Sequence, residues 1–135
     1  MESDSKQTAG RVLGIGGVFF KSPDKPKLEN WYRDALGLDS NPKMGGAQLQ
    51  WRAHDNPSQE HSTMWSVFPQ TTKHFGGDAS FMINYIVDDM DAILKKLEAA
   101  GARIDPDRQE YDFGRFAWVY DPDGNKVELW QPLNK

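Results

Sequence analysis

The chain has 135 residues, with sixteen Lys and Arg against twenty Asp and Glu for a net charge of −4. That length suits one domain with a sizeable core, and the mild acidity lacks the basic stripe of a nucleic-acid surface. No cysteine is present, which excludes disulfides, thiolate metal sites and cysteine nucleophiles.

Residues 1–10, "MESDSKQTAG", are polar and read as a flexible tail with no signal-peptide core. No apolar run approaches a membrane span, so a soluble, cytoplasmic domain is expected. "RVLGIGGVFF" then offers a strand, with Val18 and Phe20 on one face and Gly17 and Phe19 on the other. "SPDKPKLENWYRDALGL" predicts a helix opened by its Ser/Pro/Asp cluster and ended by Gly37. Its apolar stripe is Leu28, Trp31, Tyr32 and Ala35, at helical spacing. Two shorter strands follow, "AQLQW" and "TMWSVF", ending at Pro69.

The second half repeats this order. "FMINYIV" predicts a strand, and "DDMDAILKKLEAAG" a helix with Asp88 or Asp89 as N-cap and Gly101 as stop. Its stripe is Met90, Ile93, Leu94 and Leu97. Strands around "RQEYDF", "RFAWVY" and "KVELW" close the chain at Pro132. The organisation is therefore a strand–helix–strands unit twice over, residues 11–70 and 78–133, within one domain of residues 11–133. A lone helix covers one face of a small sheet, which leaves the other face of each half to line something shared.

In the last strand Val127 and Leu129 share one face, so Glu128 shares the other with Lys126 and Trp130. A carboxylate between large apolar neighbours is a metal ligand, a base, or a solvated strand residue. Three other patterns fail their own tests. Gly14-Ile15-Gly16-Gly17 lacks the third glycine and the following helix of a dinucleotide loop. Asp121, Asp123 and Asn125 lack the glycine and glutamate of a calcium loop. Asp88, Asp89 and Asp91 are explained as helix-opening residues. His54, His61 and His74 fall between the strand candidates and read as loop residues.

The pieces "IGGVFFKSPD…LENWYRDALGL", "FMINYIVDDMDAILKKLEAAG" and above all "DPDGNKVELWQP" resemble the glyoxalase/bleomycin-resistance/extradiol-dioxygenase group, the vicinal oxygen chelate superfamily. The resemblance runs from Val12 to Pro132. It implies an α+β fold of two βαβββ modules, with curved mixed sheets around a central cavity and the helices outside. It also implies a metal ligand at the first and last strand of each module. Those positions fall on Gly17, Trp65, Met82 and Glu128, of which Glu128 alone carries a suitable donor. No metal or other cofactor is therefore expected.

With Val18, Phe20, Ile83, Tyr85, Val87, Val127 and Leu129 facing the helices, alternation turns the opposite set inward. From it come the candidate ligand-binding residues Phe19, Trp65, Met82, Asn84, Phe116, Trp118 and Trp130, around Glu128 as the acid/base. The expected function is metal-independent binding of a small molecule in an aromatic cavity. The alternatives are sequestration of a drug or metabolite, as in bleomycin resistance, and a metal-dependent lyase or dioxygenase. No nucleic-acid or membrane partner is expected, and the resemblance implies a homodimer.

Overall fold

The computed structural model describes residues 9–133. It is α+β: β1 (Val12–Ser22), α1 (Lys25–Leu36), β2 (Ala47–Ala53), β3 (Asn56–Pro69), β4 (Phe81–Val87), α2 (Met90–Ala99), β5 (Arg103–Tyr111), β6 (Gly114–Tyr120) and β7 (Lys126–Pro132). The described residues form two compact units, one from Gly16 to Ile83 and the other from residues 9–15 with 84–133. The division falls inside β1 and β4.

In the unit from Gly16 to Ile83 the strand order is β2-β3-β1. β3 runs antiparallel to β2 and parallel to β1, so the pairing is mixed. Helix α1 starts where Asp24 accepts the Lys27 N–H at 3.1 Å. It ends at Gly37, whose φ of 73° lets the chain turn back, and the Leu38 N–H reaches the Tyr32 carbonyl at 3.1 Å. Leu28, Tyr32 and Leu38 pack with Val18, Phe20 and the buried Ala47, Trp65 and Val67. Two stripe residues behave differently from the expectation. Trp31 is 55% exposed and touches Tyr32 edge-on at 5.1 Å, and Ala35 is exposed.

The expectation for Trp65 also requires a correction. The β1–β3 register pairs Val18 with Trp65 and Phe20 with Val67, so all four lie on the α1 side. Tyr32 of α1 sits 4.5 Å from the Trp65 ring. Trp65 is thus core beneath a helix and does not share the face of Phe19. A one-residue slip in the placement of this strand is enough to reverse the face.

β3 is longer than its apolar stretch because the β2–β3 hairpin continues outward, pairing Trp51 with His61 and Arg52 with Glu60. His61 is therefore a strand residue and not a loop one. It is buried, lies 4.9 Å from the Trp51 ring, and its Nε2 has no hydrogen-bond partner among the described residues.

In the other unit the order is β4-β7-β6-β5, with β6 antiparallel to both neighbours. α2 is capped by Asp89, which accepts the Ala92 N–H at 3.1 Å. Met90, Ile93, Leu94 and Leu97 pack as the stripe predicts, against Val87, Ala117, Val119, Val127 and Leu129. Asp88 takes a different task, accepting the Gly10 and Arg11 N–H groups at 2.9 Å each. Gly10 has a φ of 86°, and a Cβ there would lie 2.8 Å from the Ile93 nitrogen, so only glycine fits. The expected tail thus ends by position 10, and its first eight residues lie outside the described ones. β5 begins at Arg103, earlier than predicted, with Pro106 placed where the ladder to β6 shifts between Ile104 and Arg108. Among the described residues no helix is long and apolar enough to cross a membrane.

The buried imidazole gives a pH test. Burial lowers the His61 pKa below its ordinary value of about 6.5, so the unfolded chain binds the proton more readily. The associated stability is present above about pH 6.5 and declines as pH falls through that value towards the folded one. In urea titrations between about pH 7.5 and about pH 5, the wild type should lose more stability than His61→Phe. Equal losses would show that His61 is solvated.

Candidate functional site

The β6–β7 hairpin positions the carboxylate. Asp121 to Asn125 connect the strands: Asp121 Oδ1 accepts the N–H groups of Asp123 and Asn125 at 2.9 Å each, and Oδ2 accepts Asn125 Nδ2 at 2.8 Å. Gly124 supplies the left-handed residue, with φ 87°. The Asn125 side chain, followed by the backbone N–H groups, holds the Asp121 carboxyl below the usual carboxylate range. This closure pairs Tyr120 with Lys126 and, two rungs on, Trp118 with Glu128. The Asp/Asn pattern of the corner is thus explained as a turn.

Since Val127 and Leu129 pack beneath α2, Glu128 lies on the opposite face, as alternation predicts. It is 6% exposed. Its Oε2 accepts Trp118 Nε1 at 2.9 Å, and its Oε1 accepts Asn84 Nδ2 at 2.6 Å. Trp118 is 5% exposed and Asn84 2%. Asn84 comes from β4, where Tyr85 and Val87 face α2 and the alternate residues Met82, Asn84 and Ile86 are buried on the other side. All three members of this constellation belong to the same compact unit. Asn84 Oδ1 is buried without a partner among the described residues.

Two rungs further along the hairpin, Phe116 pairs with Trp130, and their rings lie parallel within 5° at 5.8 Å. Tyr111 and Phe113 extend the aromatic series to the tip of the β5–β6 turn, stacked at 5.0 Å and each near 6 Å from Phe116. Phe113 is 60% exposed. Trp130 Nε1 is buried against Gly114, where an added Cβ would lie 2.6 Å away.

The structure therefore brings Asn84, Trp118 and Glu128 into hydrogen-bond contact and sets Phe116 and Trp130 beside them on the hairpin. Met82 is buried on the same β4 face as Asn84. Phe19 packs in the other unit at 5.5 Å from Phe68, which also stacks on His74 at 5.7 Å. Trp65 lies under α1, as described above. Sequence reasoning cast Trp118 as an apolar wall and missed its role as a donor to Glu128. The signal was present: a five-residue connection from Asp121 to Asn125 makes Trp118 and Glu128 cross-strand partners. A separate open depression of about 570 Å³ lies beside Lys21, Thr72, Lys73 and Asp78, and no sequence candidate lines it.

Residues 15–129 match the profile of the Glyoxalase/Bleomycin resistance protein/Dioxygenase superfamily, and the chain belongs to that family. Solved structures share the fold. A methylmalonyl-CoA epimerase from Streptomyces coelicolor, in complex with 2-nitronate-propionyl-CoA, aligns with a TM-score of 0.66 at 15% identity, over 92% of this chain and all of that one. The methylmalonyl-CoA epimerase of Mycobacterium tuberculosis aligns at 0.56 and 18% identity, over 94% and 92% of the two chains. A structure described as an NAD-dependent benzaldehyde dehydrogenase from Legionella pneumophila aligns at 0.55 and 17% identity, over 87% and 98%. No curated protein sequence matches the chain.

The resemblance implies a metal ligand at position 128, and the neighbours of Glu128 bear on that expectation. Asn84 Nδ2 and Trp118 Nε1 point hydrogens at the carboxylate, where a metal shell needs lone pairs. Among the described residues no three His, Cys, Asp or Glu side chains gather as a ligand set.

Gly114 provides a stability test of the aromatic wall. Gly114→Ala drives a methyl into the Trp130 indole and should cost about 1–3 kcal/mol, with a shift in tryptophan emission. An unchanged melting temperature and spectrum would show that the indole has room to move.

Proposed function

We propose that this protein binds a small molecule at the Glu128 face without a metal ion, and that Glu128 is its acid/base and charge-bearing group. The observation that carries this reading is the carboxylate itself: it is buried among aromatic residues and held from both sides by Trp118 Nε1 and Asn84 Nδ2. A buried charge needs such donors, and a fold that places one opposite its helix-packed core spends stability on it. Burial in an apolar setting with fixed hydrogen bonds is how acid/base and anchoring carboxylates are prepared for their task. The acyl-CoA ligands named for the epimerase structures are one class to include in a screen, on fold likeness alone. The reading also includes a cytoplasmic homodimer, since exposed sheet edges invite pairing.

Three measurements test it. Elemental analysis of unchelated protein should find no stoichiometric divalent metal; one equivalent, lost on Glu128→Gln, overturns the metal-free reading. Tryptophan fluorescence should detect ligands near Trp118 and Trp130, and Glu128→Gln should weaken those ligands at least about tenfold by removing a charge-assisted contact. Unchanged affinities would make the face a core and Glu128 a structural residue. Light scattering at micromolar concentration should give twice the 15.3 kDa chain mass.

A further inference from the structure

The orphan oxygen of Asn84 defines what the ligand must offer. Asn84 Nδ2 donates to Glu128 Oε1 at 2.6 Å, and this fixes the carboxamide, because turning it over would set its oxygen against the carboxylate. Oδ1 is thereby directed away from Glu128. It is buried in a side chain only 2% exposed and accepts no hydrogen bond among the described residues. Buried carbonyl oxygens are almost always satisfied, and an unsatisfied one in a native fold calls for a missing donor. Glu128 and Asn84 thus present acceptors, a carboxylate and an amide oxygen, while Lys126 and the Trp130 Nε1 are the donors of the same face. The parallel rings of Phe116 and Trp130, two rungs away, add flat apolar surface.

We infer that the ligand is a planar molecule carrying an N–H or O–H group, which donates to Asn84 Oδ1, and that analogues lacking the donor bind more weakly. A bare oxygen at this position would leave Oδ1 unsatisfied and set a second acceptor against it. Sites built to hydrogen-bond one group discriminate strongly against analogues lacking it, because the protein group is then stranded. The inference rests on the binding reading given above and adds the ligand's chemical class to it.

The mechanism makes an unusual demand on Glu128→Gln. Trp118 Nε1 can only donate, so the new side chain must keep its oxygen towards Trp118 and present its NH₂ to Asn84. Asn84 then satisfies it only by turning over, with Oδ1 towards position 128 and Nδ2 directed outward. The Asn84 position changes from acceptor to donor, and the selectivity should reverse.

The probes are 2-naphthol and 2-methoxynaphthalene, which share a planar body and differ in the donor, with binding measured by calorimetry and ligand-observed NMR. Wild type should bind 2-naphthol at least about tenfold more tightly. Asn84→Leu should reduce the difference to about twofold or less, and Glu128→Gln should favour the methoxy compound. The Glu128 variant keeps the test decisive if Asn84→Leu does not fold. Equal binding of both probes to wild type overturns the ligand class while leaving the binding function standing. A naphthol-soaked crystal in which Asn84 Oδ1 contacts only ordered water does the same. Failure of wild type to bind any planar probe or acyl-CoA ligand overturns the binding function itself.

Discussion

A carboxylate removed from water must find hydrogen-bond donors or lose its charge, and this constraint organises the unit that carries Glu128. Trp118 answers it from the neighbouring strand of a hairpin, through the one polar atom of an otherwise apolar side chain. Asn84 answers it from β4, far away in sequence. The first contact depends on the β6–β7 register and the second on alternation along β4. Each is therefore local geometry put to chemical use. The residues beneath, Val127 and Leu129 on α2's side, are what make the arrangement obligatory: the same alternation that buries them turns Glu128 the other way.

Much of this unit was legible because its signals are redundant. The stripe of α2, the caps around Asp89 and Gly101, and the Asp-Pro-Asp-Gly-Asn corner all agree with the strand pattern they connect. The resemblance to a known family covered the same segments, and the profile match from residue 15 to 129 bears it out. The face of Glu128 followed directly. What the sequence hid was the donor role of Trp118 and the lack of a partner for Asn84 Oδ1 among the described residues. Composition presents tryptophan as bulk, and only a register turns its indole N–H into a partner.

The unit from Gly16 to Ile83 was harder for a physical reason. Its β3 strand has Met64, Trp65, Ser66 and Val67 in succession, so the apolar residues do not all point one way. With large side chains on both faces, alternation alone does not say which face α1 covers. The parallel pairing of Val18 with Trp65 decides it, and parallel register leaves no turn in the sequence to read. The same ambiguity shortened β3 and left His61 in an expected loop, since polar residues from Asn56 onward form strand by pairing with β2 rather than by hydrophobic pattern.

The Asp121 corner sits at the surface, remote from the carboxylate, yet it sets the reading frame of everything after it. Its hydrogen bonds to Asp123 and Asn125 close the connection at five residues and bring Tyr120 to Lys126. Adding or losing one residue so that this closure slips would shift β7 by half a pleat. Glu128 would then turn towards the greasy underside of α2, and Val127 or Leu129 would take its place beside Trp118. For a lineage exploring new chemistry on this fold, length changes in that corner are therefore not neutral loop variation. They exchange the polar and apolar sides of the last strand wholesale, so substitution at position 128 is the gentler route to a different site.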